Sequence, residues 1–543
     1  MVANRPPGAT LQRVEARGGR FELLRADIAG FVGIAARGPL HRAVRVSGRK
    51  QFEAQFGRPI PQAYLGAAVN SFFENGGRDC YVVRVAHPAD AAPAAVRVYD
   101  GDLPLFTLEA TSPGVWGRAI RVLARRAGDG AANLFIQLRD DSRTVEIRRG
   151  VPLSDDLDAV NAALDSTLLR AVPVSFDGAA ELRLPANADL VDAGLLGGDD
   201  GLARLTVGHF TGDAAPPGDL WGLNVLEQVD EVNMLAMPDC VLLARAAPPR
   251  RRPARPPDCC APLDELTVPD AIDTDAQRDY PPPLSEDDVL RAHQALIGQC
   301  ERLTDRVAIL DPYRPDMTPD EIMAWRRQPL YTSSYAALYY PWLRMLTWRG
   351  DLRDVPPSGS VAGLYARLPV HQAPANQVVE YIQDVTVAVD DVRHGLLNEA
   401  SVNVIRAAPG RGLRLMGART LSDNKLWRFV NVRRLFIYIR ESIEINTAWM
   451  PFEPNDPRLW LDIGRVIRAF LGELWQRGML DGATSDDAYE IKCDAEINPP
   501  SQTDAGRVLC LIGVQPPFPA EFVRVTFGKT VSGVEFVEAS PNG

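Results

Sequence analysis

The sequence predicts a multidomain protein of mixed α/β and α+β class. Its 543 residues are too many for one hydrophobic core, and chains of this length usually form about three or four domains. Predicted strands and helices alternate between residues 225 and 367, which indicates a parallel sheet with helices on its faces. Short strands separated by Gly, Pro and Asp dominate residues 86–200 instead. We therefore expect an α/β domain that carries a β-rich insertion domain.

Composition argues against several classes of function. Hydrophobic residues make up 46% and charged residues 24% of the chain, as in soluble globular proteins. The net charge of −11 argues against general nucleic-acid binding, which requires a basic surface. No segment reaches the ~18 apolar residues of a membrane span, and residues 1–19 lack the apolar core of a signal peptide. We expect a cytoplasmic protein without membrane insertion, whose seven dispersed cysteines are reduced.

The first 85 residues predict an N-terminal arm followed by a βαβ unit. Residues 1–27 contain too few apolar side chains to bury a core, so we interpret them as the arm. Residues 28–85 contain two apolar runs on either side of an amphipathic segment. The predicted elements are a strand at Ile28–Ala35, a helix at about Pro61–Asn75 and a strand at Cys80–Val85.

Residues 86–200 predict the β-rich outer insertion domain. The glycine-rich run at 194–201 fits neither of the common phosphate-binding motifs, and its two aspartates would repel a phosphate. We interpret it as a loop that turns between domains. The predicted elements are strands at Leu105–Ala110, Ala119–Arg125, Leu134–Leu138 and Thr144–Arg148, and a helix at Ser154–Leu164.

Residues 201–370 predict the α/β middle domain. Its segment 246–283 is rich in Pro and Arg and then acidic, so we expect a surface excursion that is extended or disordered. The other predicted elements alternate, as strands at Val232–Met237, Val307–Leu310 and Tyr335–Tyr340, and helices at Ser285–Leu303, Pro319–Arg327 and Pro357–Ala366.

Enzyme chemistry has one set of candidate residues in this middle region. Polar side chains at the carboxyl ends of parallel strands often form sites, and Asp239, Asp311, Ser358 and His371 follow the predicted strands. A Ser-His-Asp hydrolase could use them, but no G-x-S-x-G motif surrounds Ser358. Both aspartates lie beside proline, which commonly ends a strand. The hydrolase stays an alternative interpretation.

Metal and cofactor sites have weaker signals still. Cys259 and Cys260, with Cys240 upstream, lack a C-x-x-C pair or spaced histidines. Arg250–Arg252 could contact an acidic partner, although a solvated linker explains them as well. We expect no catalytic, cofactor-binding or metal site.

Residues 371–520 predict a C-terminal α+β domain, and residues 521–543 a C-terminal arm. A dense apolar and basic run at Trp427–Arg434 predicts a strand. A helix is predicted at Pro457–Gly478, with Asp456 as its N-cap and an apolar stripe from Ile463 to Trp475. Its opposite face is smooth, polar and partly basic, and its residues are Asp462, Arg465, Arg468, Ala469, Gly472 and Gln476.

The chain resembles the sheath proteins of contractile tails, found in phages, tailocins and contractile injection systems. The resemblance covers roughly residues 28–525, and it depends on short motifs that occur together in the same order. They include Gly30–Gly33, Phe72–Gly77, Ser112–Gly117, Ala337–Trp342, Pro356–Gly359, Ala373–Asn376, Gly417–Ser422, Asn431–Leu435, Phe452–Asn455 and Pro519–Phe522.

The resemblance implies a fold and an assembly. The C-terminal domain would be the inner sheath domain, the middle α/β domain would have subtilisin-like topology without the triad, and both arms would exchange strands with neighbouring subunits. The alternating residues Phe522, Val523, Arg524, Val525, Thr526 and Phe527 predict a half-buried strand that could serve this exchange.

The resemblance also implies a structural role. The subunit would polymerise helically around an inner tube and contract to drive the tube into a target cell, as part of a virion or phage tail-like particle assembled in the cytoplasm. Its partners would be copies of itself, the inner tube protein, and baseplate and cap proteins. We further predict that Asp462, Arg465, Arg468 and Gln476 face the tube, because their surface is basic in an acidic chain. A monomeric binding or adhesion module stays a second alternative.

Overall fold

A computed structural model describes most of the chain as two units. The described residues are 24–127, 130–139, 145–174, 179–187, 189–243, 274–329, 331–450, 453–504 and 506–517, with the backbone of the strands at 523–530 and 533–539. One unit contains residues 26–434, and the other contains the described residues from 435 onward with residues 24 and 25. Several sheets and many helices occur, which confirms the predicted mixed α/β multidomain class.

The segment after Ala26 contains the predicted βαβ elements. Strands β1 and β3 pair in parallel, and the buried Leu65, Val69 and Phe72 line one side of the helix between them. The helix gives way to Gly76 at a φ of +108°, a conformation that glycine adopts without steric cost. In chain order the elements are β1 (Ala29–Gly33), β2 (Ala43–Val46), α1 (Arg49–Phe56), α2 (Leu65–Glu74) and β3 (Cys80–Arg84).

The next segment is β-rich, with one α-helix among its described residues. Two sheets, in the orders β10-β4-β5-β9 with β12 beside β4 and β11-β6-β7-β8, enclose a core that includes Val96, Leu108, Val122 and Ile136. In chain order the elements are β4 (Ala92–Asp100), β5 (Leu103–Ala110), β6 (Ile120–Arg126), β7 (Ala131–Leu138), β8 (Val145–Pro152), α3 (Leu157–Leu164), β9 (Leu169–Val172), β10 (Ala180–Leu184), β11 (Leu190–Gly194) and β12 (Leu196–Asp199).

The interpretation of residues 194–201 as a loop was wrong. Residues 196–199 form β12, which pairs antiparallel with β4. The glycines allow close packing here, because a Cβ on Gly198 would lie 2.6 Å from the carbonyl oxygen of Gly114.

The rest of this unit alternates strands and helices between residues 234 and 340, as predicted, and two further strands precede the predicted helix at 358–367. In chain order the elements are α4 (Val207–Thr211), β13 (Met234–Ala236), α5 (Glu286–Leu303), β14 (Val307–Leu310), α6 (Pro319–Arg326), β15 (Ala336–Tyr340), β16 (Leu343–Leu346), β17 (Leu352–Val355), α7 (Ser358–Arg367), β18 (Gln377–Val378), β19 (Asp384–Val385), α8 (Asp391–Glu399), β20 (Val402–Ala408) and β21 (Gly412–Leu415).

A nine-stranded sheet organises this unit. Its order is β18-β21-β20-β15-β14-β13-β1-β3-β2; neighbours from β20 to β3 pair in parallel, and the outer strands pair antiparallel. Gly30 pairs with Leu235, and a Cβ on Gly30 would lie 2.8 Å from the Leu226 side chain. The sheet takes strands from the predicted segments 28–85, 201–370 and 371–520. The predicted domain boundaries themselves stay predictions.

The predicted surface excursion has a well-packed end. Residues 244–273, which include Arg250–Arg252, Cys259 and Cys260, lie outside the described residues. The expectation of a surface location was wrong for Arg278, whose side chain is 1% exposed and lies 2.5 Å from the carboxylate of Asp200. Asp200 also lies 3.5 Å from the buried guanidinium of Arg84. The charged end of the segment is therefore part of a buried ion cluster.

The predicted strand at Trp427–Arg434 was also wrong. Helix α9 (Val430–Asn446) covers most of it and crosses the division between the two units. Arg433 stacks on Trp427 at 3.7 Å and on Tyr335 at 4.2 Å, while Arg434 donates hydrogen bonds to the carbonyl oxygens of Ala26 and Tyr365. Buried apolar residues follow helical spacing, at Val432, Leu435, Phe436, Ile439 and Ile443.

The second unit contains the predicted amphipathic helix. Asp456 accepts hydrogen bonds from the backbone N–H groups of Arg458 and Leu459, and Gly478 has a φ of +71°. The helix packs against β22 and β23 of a sheet in the order β22-β23-β24-β25. The elements are α10 (Pro457–Gln476), α11 (Ser485–Ala488), β22 (Tyr489–Lys492), α12 (Pro500–Thr503), β23 (Val508–Val514), β24 (Val523–Thr530) and β25 (Gly533–Ala539).

Candidate functional site

The candidate catalytic aspartate Asp239 caps a helix instead. It follows β13 and is fully buried, and its carboxylate accepts hydrogen bonds from the backbone N–H groups of Ile34 at 2.7 Å, Leu65 at 3.3 Å and Tyr64. Leu65 is the first residue of α2, so Asp239 supplies an acceptor for unpaired N–H groups at that helix start. Burial raises the pKa of Asp239 to about 6.

Asp311 does the same for a second helix. It follows β14, and its carboxylate accepts a hydrogen bond of 2.8 Å from the backbone N–H of Ser358, the first residue of α7. Burial raises the pKa of Asp311 to about 7. The two capped helices pack together, because Gly359 lies against the backbone of Ala68 and the hydroxyls of Ser71 and Ser360 are 2.5 Å apart.

The hydrolase constellation is incomplete among the described residues. Asp311 and Ser358 are together, but no hydrogen bond links the ring of His371 to either of them in the described part of the chain. A nucleophilic serine needs a base within hydrogen-bond reach. The two aspartates are instead acceptors for backbone N–H groups.

The described residues contain neither a metal-binding cluster nor a membrane-spanning helix. No group of three or more His, Cys, Asp or Glu side chains there could hold a metal ion. Cys240 is buried, and burial raises the pKa of its thiol well above the ordinary value. None of the described helices combines the length and apolar character needed to cross a membrane.

The outer face of α10 is the open charged surface predicted from the sequence. Arg465 is 72% exposed and forms an ion pair of 2.6 Å with Asp462, and Arg468 and Gln476 are also exposed. Arg468 forms no ion pair with any residue that the structure describes. Sequence reasoning missed Leu461, which is 72% exposed and precedes Arg465 by one helical turn. Its position four residues before Arg465 was the available signal.

The predicted arm strand pairs within its own chain. Residues 523–527 lie in β24, whereas Phe522 lies outside the described residues. Strand β24 pairs antiparallel with β23 on one side and with β25 on the other. Among the described residues, the edge strands of this sheet are β22 and β25, and exchange of a strand with a neighbour stays a prediction.

Comparison with protein families identifies two adjacent domains. Residues 286–421 match the phage tail sheath protein central domain, and residues 422–528 match the phage tail sheath C-terminal domain. A prophage major tail sheath protein of Pseudomonas aeruginosa strain UCBPP-PA14 is 26% identical over 228 residues, which span 39% of this chain and 55% of that relative. The match thus covers about half the length of that relative.

Solved structures with a similar fold span nearly the whole chain. The sheath complex of the extracellular contractile injection system PVC, in its contracted state, aligns with a TM-score of 0.53 and 17% identity over 96% of this chain and 97% of that chain. A sheath tail protein from Listeria innocua aligns with a TM-score of 0.60 and 11% identity over 94% and 96%. The matched family domains are those of phage tail sheath proteins, and neither the hydrolase nor the adhesion alternative is supported.

Proposed function

We propose, because residues 286–528 match the central and C-terminal domains of phage tail sheath proteins, that this chain is a structural sheath subunit that polymerises helically around an inner tube and contracts to drive that tube into a target cell. The observation that carries the proposal is the continuous match of residues 286–528 to the central and C-terminal sheath domains. The protein is thus part of a phage tail or tail-like particle, and we propose that it assembles in the cytoplasm with baseplate and cap proteins.

Contraction in this proposal is a mechanical change. Subunits rotate as rigid bodies between two packings that differ by a few kcal/mol each, and many subunits sum that difference. The nine-stranded sheet suits a rigid body, since six of its adjacent strands are parallel and buried in apolar surroundings. Contraction then needs no nucleotide.

We propose the domain layout that the sequence suggested. Residues 371–520 form the inner domain, residues 201–370 a middle domain of subtilisin-like topology, and residues 86–200 an outward insertion. The parallel pairing of β13, β14 and β15 supports an α/β middle domain, and the two sheets of the 92–199 segment support a separate insertion.

The tube contact in this proposal is the outer face of α10. Arg465, Arg468 and Gln476 are exposed there, and Asp462 holds Arg465 in place. A basic face is complementary to an acidic one, so in this proposal the tube surface that meets α10 is acidic. Leu461 adds an exposed apolar side chain to the same face.

Imaging of the purified full-length protein tests the proposal. We expect long striated tubes in negative stain, because heterologous contacts between identical chains propagate into helices. A monomer that persists at high concentration, with or without the tube protein, would contradict the sheath function.

The arms are tested separately. We propose that residues 1–27 and 521–543 exchange strands with neighbouring subunits. Deletion of residues 1–27 should abolish the tubes and leave the chain folded, as its circular dichroism spectrum would show. Tubes that form without these residues would refute the role of the N-terminal arm but not the sheath function.

A further inference from the structure

Two of the six histidines stack on one tryptophan, and a third packs against one of these two. The ring of Trp221 lies nearly parallel to the rings of His41 and His209, at centroid distances of 4.8 and 5.9 Å and interplanar angles of 16° and 15°. The ring of His87 packs against His209 with centroids 5.1 Å apart. We call these four residues, His41, His87, His209 and Trp221, the histidine stack.

The histidine stack lies where the chain enters and leaves the β-rich segment. His87 lies between β3 and β4, and its backbone N–H donates to the carbonyl oxygen of Gly201, which follows β12. His209 lies in α4 on the outgoing connection. His41 is anchored beside β3 by a hydrogen bond of 2.9 Å from its N–H to the carbonyl oxygen of Arg84. The stack therefore joins both connections to the nine-stranded sheet.

His41 is held as a neutral ring. Its Nε2 lies 3.0 Å from the carbonyl oxygen of Ala86 and donates, while its Nδ1 accepts from the backbone N–H of Gly222 at 3.2 Å. A proton on Nδ1 would place two donors against each other. Gly222 cannot easily shift, because it has a φ of +50° and a Cβ there would already lie 2.5 Å from the carbonyl oxygen of His209.

His209 is also held as an acceptor. Its Nδ1 accepts from the backbone N–H of Thr206 at 3.2 Å and lies 2.8 Å from the Thr206 hydroxyl, which completes the capping box of α4. Protonation would remove this acceptor. Burial lowers the pKa of His209, and nearby His87 lowers it further.

The charged groups that face the stack do not favour a proton on the two central rings. Burial is the main cause that lowers the pKa of His41 to about 4. The hydrogen bond to the Ala86 carbonyl raises this pKa, whereas His209 and the buried guanidinium of Arg84 lower it. Asp90 pairs with Arg204 and lies 3.1 Å from Nδ1 of His87. Among the described residues no carboxylate lies within ion-pair distance of His41 or His209.

We propose that the histidine stack is a proton-sensitive joint, which fixes the β-rich segment to the nine-stranded sheet at neutral pH and loosens in acid. The folded pKa of His41 lies near 4, below the ordinary value of 6.5. The closed joint therefore binds protons less readily than the open one, and it loses stability as the pH falls from 6.5 towards 4. This property belongs to the single subunit and does not depend on assembly.

Hydrogen exchange of the full-length protein measures how often the joint opens. After correction for intrinsic exchange rates, opening of residues 86–91 and 200–212 should increase about tenfold between about pH 6.5 and pH 5. Strand β5 should keep its protection over the same range, since its core does not include the stack. Unchanged protection of the two connections in acid would overturn the proposal.

A double variant separates the joint from general acid unfolding. In His41→Asn, the amide oxygen replaces the Nδ1 acceptor, and Asn tolerates the φ of +48° at this position. In His209→Gln, the amide oxygen preserves the capping box without titrating. The double variant should show no acid-dependent opening at the joint, whereas His394→Gln, outside the stack, should behave as wild type.

Two results would contradict the joint. One is an acid-dependent opening in the double variant equal to that in wild type. The other concerns the single variants, which replace the double variant if it does not fold. Each single variant should remove part of the acid-dependent opening, and wild-type profiles in both would overturn the proposal.

Discussion

Charged side chains have opposite surroundings at the rim of the nine-stranded sheet, where its parallel strands end, and on the outer face of α10. At the rim, Asp239 and Asp311 are buried and accept hydrogen bonds from the starts of α2 and α7. On α10, Arg465 and Arg468 are exposed. Charges at the rim therefore have partners within the chain, while charges on α10 are available to a partner outside it. Substitutions at the rim should change stability alone, and substitutions on α10 should change assembly alone.

The largest effect is expected on assembly. In Arg465→Glu/Arg468→Glu, the reversed charges should repel an acidic tube surface and weaken tube-bound assembly by at least about tenfold. The temperature of unfolding should hardly change, since both side chains are exposed. Co-sedimentation with the tube protein and a thermal melt measure the two quantities.

A matched control exists on α5. Arg291 is 64% exposed and pairs with Asp288 three residues before it, as Arg465 pairs with Asp462. Arg291→Glu should assemble normally. Normal assembly of the α10 double variant would show that this face does not contact the tube, without touching the sheath function itself.

The next effect is expected on stability at the buried ion cluster. In Asp200→Ala, the guanidinium groups of Arg84 and Arg278 lose their shared carboxylate while buried, and removal of one partner from a buried pair costs about 3–5 kcal/mol. Asp102→Ala removes a fully exposed partner of Arg183 and should leave the free energy of unfolding nearly unchanged. Urea unfolding of both variants gives the comparison, and equal losses would contradict a special role for Asp200.

The smallest effect is expected at the helix caps, and it depends on pH. Burial raises the pKa of Asp311 to about 7, above the ordinary 3.8, so its contribution to stability is present below pH 3.8 and is lost as the pH rises through 7. Asp311→Asn keeps an acceptor without the charge and should be more stable than wild type at about pH 8, by about 1–4 kcal/mol. At about pH 4 the two should be similar.

Loss of the hydrogen-bond acceptor at position 311 should instead lower the free energy of unfolding. Asp311→Ala leaves the backbone N–H of Ser358 without its cap and should cost about 1–2 kcal/mol at about pH 5. Urea unfolding across this pH range measures both variants. An Asn variant that is as unstable as the Ala variant at every pH would contradict the capping role.

Elements with local signals were predictable from sequence. Helix α10 has a cap at Asp456, a proline at its first position and a regular apolar stripe, and all three lie within one segment. Helix α9 was missed because Val430, Val432, Phe436 and Tyr438 favour strands locally, whereas its helical spacing becomes visible only beyond Arg434. Strand β12 was missed because its glycines resemble a turn.

Long-range pairing could not be predicted in the same way. The donors to the Asp239 carboxylate are the backbone N–H groups of Ile34 and Leu65, which lie more than 170 residues away in sequence. The histidine stack brings together His41, His87, His209 and Trp221, which appear scattered along the chain. Leu461 was overlooked because its signal, a position four residues before Arg465, is a single apolar residue and not a periodic pattern.

The order of strands in the nine-stranded sheet also determines when, during synthesis, each strand can pair with its neighbours. Strand β1 pairs with β13, more than 200 residues later, and β15 receives its outer neighbour only when β20 has been made. In a chain truncated between residues 341 and 401, β15 would be an unpaired parallel edge. Such edges pair with other chains. The residues of α10 follow still later, so a nascent subunit completes its sheet before it can offer the surface that we assign to assembly.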